Sequence, residues 1–232
     1  MSSSEQSQWK KAAGEAAAKL VEDGMVLGLG TGSTAECFLS ALAQRIANEG
    51  LKITGIPTSE QTAACARREG IPLSSFAEHL QLDFSVDGAD EVKLGTLDLI
   101  KGQGGALLRE KVVAAASKRM VVVADETKLV RELGSLVSVP VEVVQFGWQA
   151  TEKSLDKIGG RPSLRIGADK NPFVTDGGNY VMDCAFGPIS EPNKIARELD
   201  HLVGVVEHGL FLGFALEAVI GSREGVKILK RS

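Results

Sequence analysis

From residue 25 to residue 124 the chain alternates short apolar runs with longer stretches carrying Ala and Leu at helical spacing, with glycine turns at several of the joints. Few folds accommodate that order. Residues 9–22 read as a helix closed by Asp23-Gly24, and 25–29 as a buried strand. The turn Gly30-Thr31-Gly32-Ser33-Thr34 then leads into a helix over 35–47, and a strand resumes over 51–56. This is a βαβ unit, whose two strands must lie parallel because a helix carries the chain back between them. A helix over 59–69, a strand over 82–86, a helix over 106–117 and the β-branched strand 120–124 continue the alternation. The expected fold class is α/β, with a doubly wound, mainly parallel sheet.

After Leu133-Gly134 the pattern changes. A strand over 139–144, a helix over 148–158 and a strand over 163–166 follow one another. Asp176-Gly177-Gly178-Asn179 then interrupts residues 173–184 as a hairpin turn, and a helix spans 193–202. These elements predict a smaller α+β domain over 134–204, inserted near the C-terminus of a larger one formed by 1–133 and 205–232. Short strands near 205–211, 218–220 and 226–229 are expected to return to the larger sheet.

Composition narrows the function. Across 232 residues, 26 Lys and Arg face 30 Asp and Glu, for a net charge of −4, and no basic cluster is longer than a pair. That balance lacks the basic surface that phosphate-backbone binding requires, which argues against a nucleic-acid partner. Cys37, Cys65 and Cys184 are odd in number and widely spaced, with no CxxC pair, so a reducing cytoplasm is expected. The first residues, MSSSEQSQWKK, lack the order of a secretory leader, and no apolar run approaches a membrane span.

Four turns at strand ends have the residue types for chemistry. Glycines and hydroxyls over Gly30–Thr34, at a helix N-terminus, make a cradle for phosphate or a tight turn capped by Ser33 or Thr34. Neither the acidic residue of a dinucleotide site nor a GK[ST] P-loop accompanies it, which leaves a monophosphate. Asp87-Gly88-Ala89-Asp90-Glu91 holds three carboxylates. Their mutual repulsion suits proton transfer, while a magnesium site or a solvated loop are the rival readings. Lys101-Gly102-Gln103-Gly104-Gly105 opens the next helix, on which Glu110 shares a face with Ala106 and Val113. That face would desolvate Glu110 and strengthen it as a base, unless it merely pairs with Lys111. Lys128, in the run 124–128, is within reach of an anionic substrate or is a surface lysine. His79, His201 and His208 adjoin none of these turns, so histidine catalysis and a histidine-ligated metal are disfavoured.

In this order and with these separations, GLGTGSTA, SVDGADEV, IKGQGGALLREK and ADETK resemble the type A ribose-5-phosphate isomerases. The resemblance implies a Rossmann-like domain carrying a ferredoxin-like one. It also implies interconversion of ribose 5-phosphate and ribulose 5-phosphate without a metal or organic cofactor, and a homodimer or tetramer. Glu110 becomes the proton-transferring base, with Asp87, Asp90 and Lys101 as catalytic companions. Substrate contacts fall to Thr31, Gly32, Ser33, Thr34, Asp87, Gly88, Ala89, Asp90, Lys101, Gly102, Gln103, Gly104 and Lys128, and Lys10 matches an N-terminal lysine on the phosphate side. The chain departs from the pattern at Gln103, where members often have Gly, and at TDGGN in place of TDNGN. Two other classes stay open: a magnesium-dependent phosphotransferase using Asp87, Asp90 and Glu91, and a non-catalytic sugar-phosphate sensor.

Overall fold

The structure is a computed structural model and describes residues 3–232. In chain order its elements are α1 (Ser3–Ala18), β1 (Val26–Leu29), α2 (Ser33–Glu49), β2 (Thr54–Pro57), α3 (Glu60–Arg68), β3 (Phe84–Gly88), β4 (Glu91–Lys93), β5 (Leu99–Ile100) and α4 (Leu107–Ala116). Then come β6 (Met120–Asp125), β7 (Leu129–Val130), β8 (Val139–Val143), α5 (Trp148–Lys157), β9 (Pro162–Leu164), β10 (Tyr180–Cys184) and α6 (Pro192–Asp200). The chain ends with β11 (Val205–His208), β12 (Leu210–Phe211), β13 (Ala215–Ser222) and β14 (Gly225–Lys230).

The main sheet has the order β14-β13-β6-β3-β1-β2 and is parallel except for the β13–β14 pair. Both of its faces are covered, and the period-two alternation of its strands shows how. Leu27, Leu29, Phe84, Val86, Val121, Val123 and Val219 pack with Ala and Leu residues of α1 and α2. Met120, Val122, Ala124, Ala218 and Ile220 point the other way, onto Val92, Leu99, Ala114 and Phe211. β2 and β3 lie on opposite sides of β1, so the strand order reverses there. The carboxyl ends of β1 and β3 therefore open a crevice, the usual ligand position in such sheets.

A second sheet, β11-β8-β10-β9, is antiparallel and buries Val141, Val143 and Met182 against Leu155 of α5 and Leu199 of α6. It corrects one expectation. The run 205–211 does not return to the main sheet: β11 pairs with β8, and β12 pairs with β5 in a third small sheet of order β12-β5-β4-β7. That third sheet has no counterpart in the sequence reading, and it carries the segment leading into Lys101. The hairpin at 173–184 is also reduced, to a Val174–Tyr180 bridge and the single strand β10.

The first helix begins earlier than residue 9. Residues 3–8 are already helical, and Gln6 ties that turn to the end of β6 through Asp125 Oδ2 (3.2 Å) and Thr127 Oγ1 (3.4 Å). Residues 1 and 2 lie outside the described residues. Among the described residues no helix is long and apolar enough to cross a membrane.

Candidate active site

The sequence motifs converge on the crevice at the carboxyl ends of β1 and β3. Lys10, Thr31, Gly32, Ser33, Thr34, Gly88, Ala89, Asp90, Lys101, Gly102, Gly104, Glu110 and Lys128 line one cleft of about 540 Å³, counted out to its open mouth. Asp87 and Gln103 are not among the lining residues, but each bonds to one that is, Asp87 to Lys101 and Gln103 to Asp90.

Local chemistry explains the approach of the first two turns. The Gly30 N–H donates to Val86 O at 2.9 Å, which sets the β1 turn directly against Asp87. A Cβ at Gly30 would lie 2.3 Å from Asp87 Oδ1, so only glycine permits this contact. Gly30→Ala should therefore dislodge Asp87, lowering activity at least tenfold by the usual sensitivity to about 1 Å of misplacement, as steady-state rates will show.

Asp87 is fully engaged. Its Oδ1 accepts the N–H groups of Thr31 (3.0 Å) and Gly88 (2.7 Å), and its Oδ2 lies 3.1 Å from Lys101 Nζ. Lys101 also contacts Glu110 Oε1 at 3.1 Å and donates to Gly88 O at 2.6 Å, although its side chain is only 2% exposed. Lys101 is thus a buried cation between two buried carboxyls, with its ammonium 5.5 Å from the centroid of the Phe211 ring. Glu110 comes from the first turn of α4, and its Oε2 is buried without a hydrogen-bond partner.

These contacts set the protonation of the cluster. Burial alone would lower the Lys101 pKa, but the negative charges of Asp87 and Glu110 more than offset it and hold the ammonium charged. Burial, reinforced by the Asp87 charge, pushes Glu110 up to about 8, with Lys101 acting in the opposite direction. Burial also raises Asp87, against Lys101 and two backbone donors. Asp87 has three donors to stabilise its ionised form, whereas Glu110 has one.

The Gly30–Thr34 turn resolves differently from a capped turn. Gly32 is the N-cap of α2 and Ser33 its first helical residue, and no side chain caps the helix. The Ser33 hydroxyl instead accepts Lys10 Nζ at 3.0 Å. An uncapped N-terminus with a lysine and a hydroxyl beside it suits an anion. Thr31 turns its hydroxyl away, into a cluster with Thr58 (2.7 Å), Ser59 (2.9 Å) and Thr62 (2.9 Å). Sequence reasoning missed that cluster, although the Thr58-Ser59 pair directly after β2, with Ser59 capping α3 through Thr62 N, carried a local signal.

The three acids of the DGADE run do not form a ligand set. Glu91 is fully buried and accepts the N–H groups of Gly134, Leu136 and Val137, so it anchors the 134–137 loop. Asp90 accepts Gln103 N–H at 3.0 Å, and the Gln103 side chain turns outward to Ser138 O. Asp200, Glu207 and His208 are the cluster with metal-ligand spacing among the described residues, but Lys111 Nζ sits inside it, 2.6 Å from Glu207. Lys111 therefore belongs to Glu207 rather than to Glu110. Burial and the Lys111 charge lower His208 to about 4, in keeping with a neutral structural imidazole.

The family model for ribose 5-phosphate isomerase A (phosphoriboisomerase A) matches residues 54–225. This chain belongs to that family. It is 52% identical to ribose-5-phosphate isomerase A of Synechococcus sp. (strain JA-3-3Ab) over 223 residues, 96% of this chain and 97% of the relative. Against the enzyme of Gloeobacter violaceus the identity is also 52%, over 96% of each chain. The structure superposes on ribose 5-phosphate isomerase A of Methanocaldococcus jannaschii with a TM-score of 0.92 at 40% identity, covering 97% of this chain and 99% of that one. A D-ribose-5-phosphate isomerase solved in complex with phospho-erythronic acid superposes with a TM-score of 0.93 at 39% identity, covering 97% and 98%. Family membership agrees with the doubly wound sheet and the separate smaller antiparallel sheet expected from the sequence.

Proposed function

We propose that this chain interconverts D-ribose 5-phosphate and D-ribulose 5-phosphate through an enediolate, with Glu110 carrying the proton between C1 and C2. The observation that carries this reading is a buried carboxyl with one unpartnered oxygen, set beside a buried ammonium in the same cleft as an uncapped helix N-terminus. Base, electrophile and phosphate seat are the parts an aldose-ketose isomerase of a sugar phosphate requires. Phospho-erythronic acid, the ligand of one solved relative, joins a phosphate to a carboxylate whose shared charge is like that of an enediolate.

In this reading Lys101 faces the developing oxyanion, Asp87 fixes Lys101, and Asp90 orients substrate hydroxyls. Ser33, Thr34, the α2 amides and Lys10 hold the phosphate, with Lys128 completing the positive rim. The three free cysteines support a reducing cytoplasm as its place of work. The family resemblance supports a homo-oligomer.

The test is ketose formation from ribose 5-phosphate in the presence of EDTA. Turnover supports the isomerase and rejects both the magnesium phosphotransferase and the non-catalytic sensor; absence of ketose rejects the isomerase. For the phosphate seat, replacing Ser33 and Thr34 together by Ala should raise KM at least about tenfold, since each hydrogen bond to a charged group contributes roughly 1.5–3 kcal/mol. An unchanged KM places the phosphate elsewhere.

A further inference from the structure

Arg165 reaches the active-site turn from the smaller sheet. It lies just beyond β9, where its backbone N–H donates to Val181 O and its carbonyl accepts Phe173 N–H, both at 2.9 Å. Its guanidinium makes a two-pronged pairing with Asp183, Nε donating to Oδ2 at 2.9 Å and Nη2 to Oδ1. The remaining nitrogen, Nη1, donates to two backbone carbonyls of the glycine turn, Gly102 O at 2.9 Å and Gln103 O at 3.0 Å. The Phe173 ring lies under the guanidinium and fills the space that a Cβ at Gly105 would need. The side chain of Arg165 is only 12% exposed.

Peptide planarity turns this clamp into an aiming device. In a trans peptide the N–H points away from the carbonyl of the same plane. The Gly102 carbonyl faces Arg165, and the Gln103 N–H of that plane faces the opposite way, onto Asp90. By the same geometry, the Gln103 carbonyl on Arg165 sends the Gly104 N–H toward the cleft that Gly104 lines. We propose that Arg165 is a positioning residue for the isomerisation, holding the 102–104 peptides so that the Gly104 N–H meets the substrate oxygen on which enediolate charge develops.

The proposal rests on the isomerase reading and extends the working site to the smaller sheet. An arginine kept only to staple that sheet would act through Asp183 alone, and lysine can keep that ion pair. Lysine is a point charge and does not reproduce a planar fork spanning a carboxylate and two carbonyls.

The test is Arg165→Lys, measured by steady-state kinetics, thermal melting and amide hydrogen exchange. Expected are a fall in kcat of about tenfold or more, since losing one oxyanion donor outright costs about 10²–10³, with KM within about threefold of wild type. Exchange should quicken at residues 102–105 while β10 keeps its protection. Wild-type kcat in the lysine variant overturns the proposal. So does a kcat loss accompanied by faster exchange throughout β9 and β10, the mark of a structural staple. Arg165→Met, which removes the donors altogether, should lower kcat further, and a folded methionine variant with wild-type kcat also overturns it. If the wild-type chain leaves ribose 5-phosphate unchanged, the isomerase reading falls and takes the catalytic role of Arg165 with it. Exchange at 102–105 then still decides whether the clamp exists.

Discussion

Glu110→Gln should lower kcat by a factor on the order of 10²–10⁴, the usual contribution of general acid-base catalysis, while substrate binding largely persists. Glutamine keeps the size of the side chain and can still face Lys101, but it cannot accept a carbon-bound proton. The pH dependence follows from the same residue. Glu110 must be ionised to act as the base, and its pKa is pushed up to about 8. In the wild type kcat/KM should rise with pH and level off above about 8, falling roughly tenfold per pH unit below that. Stability moves in the opposite direction. The folded pKa of Glu110 lies above the ordinary 4.5, so its contribution is fully present below 4.5 and is lost as pH rises through about 8. The glutamine variant has no such loss, and at pH 9 its melting temperature should equal or exceed that of the wild type. In deuterated water the wild type should place solvent deuterium at the exchanging carbon, at least in part, because a carboxylic acid exchanges its proton while the enediol waits. Full retention of the substrate hydrogen, together with a variant of near wild-type kcat, excludes Glu110 as the base.

The burial of Glu110 was legible in the sequence from helical spacing, whereas its assignment as the base came with the family resemblance. The apolar strand before the DGADE turn fixed where the carboxyl end of β3 would lie, and helical spacing put Glu110 on the face of Ala106 and Val113. Both Glu110 and Val113 are buried. What escaped was set by partners distant in the chain. Glu91 stood beside Asp87 and Asp90 as a third acid of the same kind, yet three N–H groups of the 134–137 loop turn it away. No local pattern announces that loop. Residues 205–211 form a β-rich run that reads the same in either sheet, and pairing with β8 rather than the main sheet is decided by tertiary packing. Residues 3–8 are too polar to signal a helix. They are held by Gln6 contacts to Asp125 and Thr127, more than a hundred positions away. Arg165 was missed for the same reason: an arginine at a strand end is unremarkable until the carbonyls it holds are known.

Removing the buried cation should have a large and different effect. Lys101→Met keeps an apolar side chain of similar length but takes the ammonium from three acceptors: Asp87 Oδ2, Glu110 Oε1 and Gly88 O. A donor aimed at a developing oxyanion is worth about 10²–10³ in kcat, and a loss of that order is expected. The base remains in place, so its titration reports what the lysine did. Lys101 is the charge that opposes burial and Asp87 in setting the Glu110 pKa. Without it Glu110 must hold its proton to a higher pH, and the rising limb of kcat/KM should shift upward from about 8. Stability follows the same charges. As pH rises through the Glu110 range, the carboxyl that ionises there no longer has the ammonium that balanced its charge. Breaking a buried pair by removing one partner costs about 3–5 kcal/mol, and the deficit in melting temperature relative to wild type should widen from pH 6 to pH 9. A limb that moves to lower pH, or a deficit that narrows as pH rises, would show that Lys101 does not stabilise these two carboxylates in their ionised form.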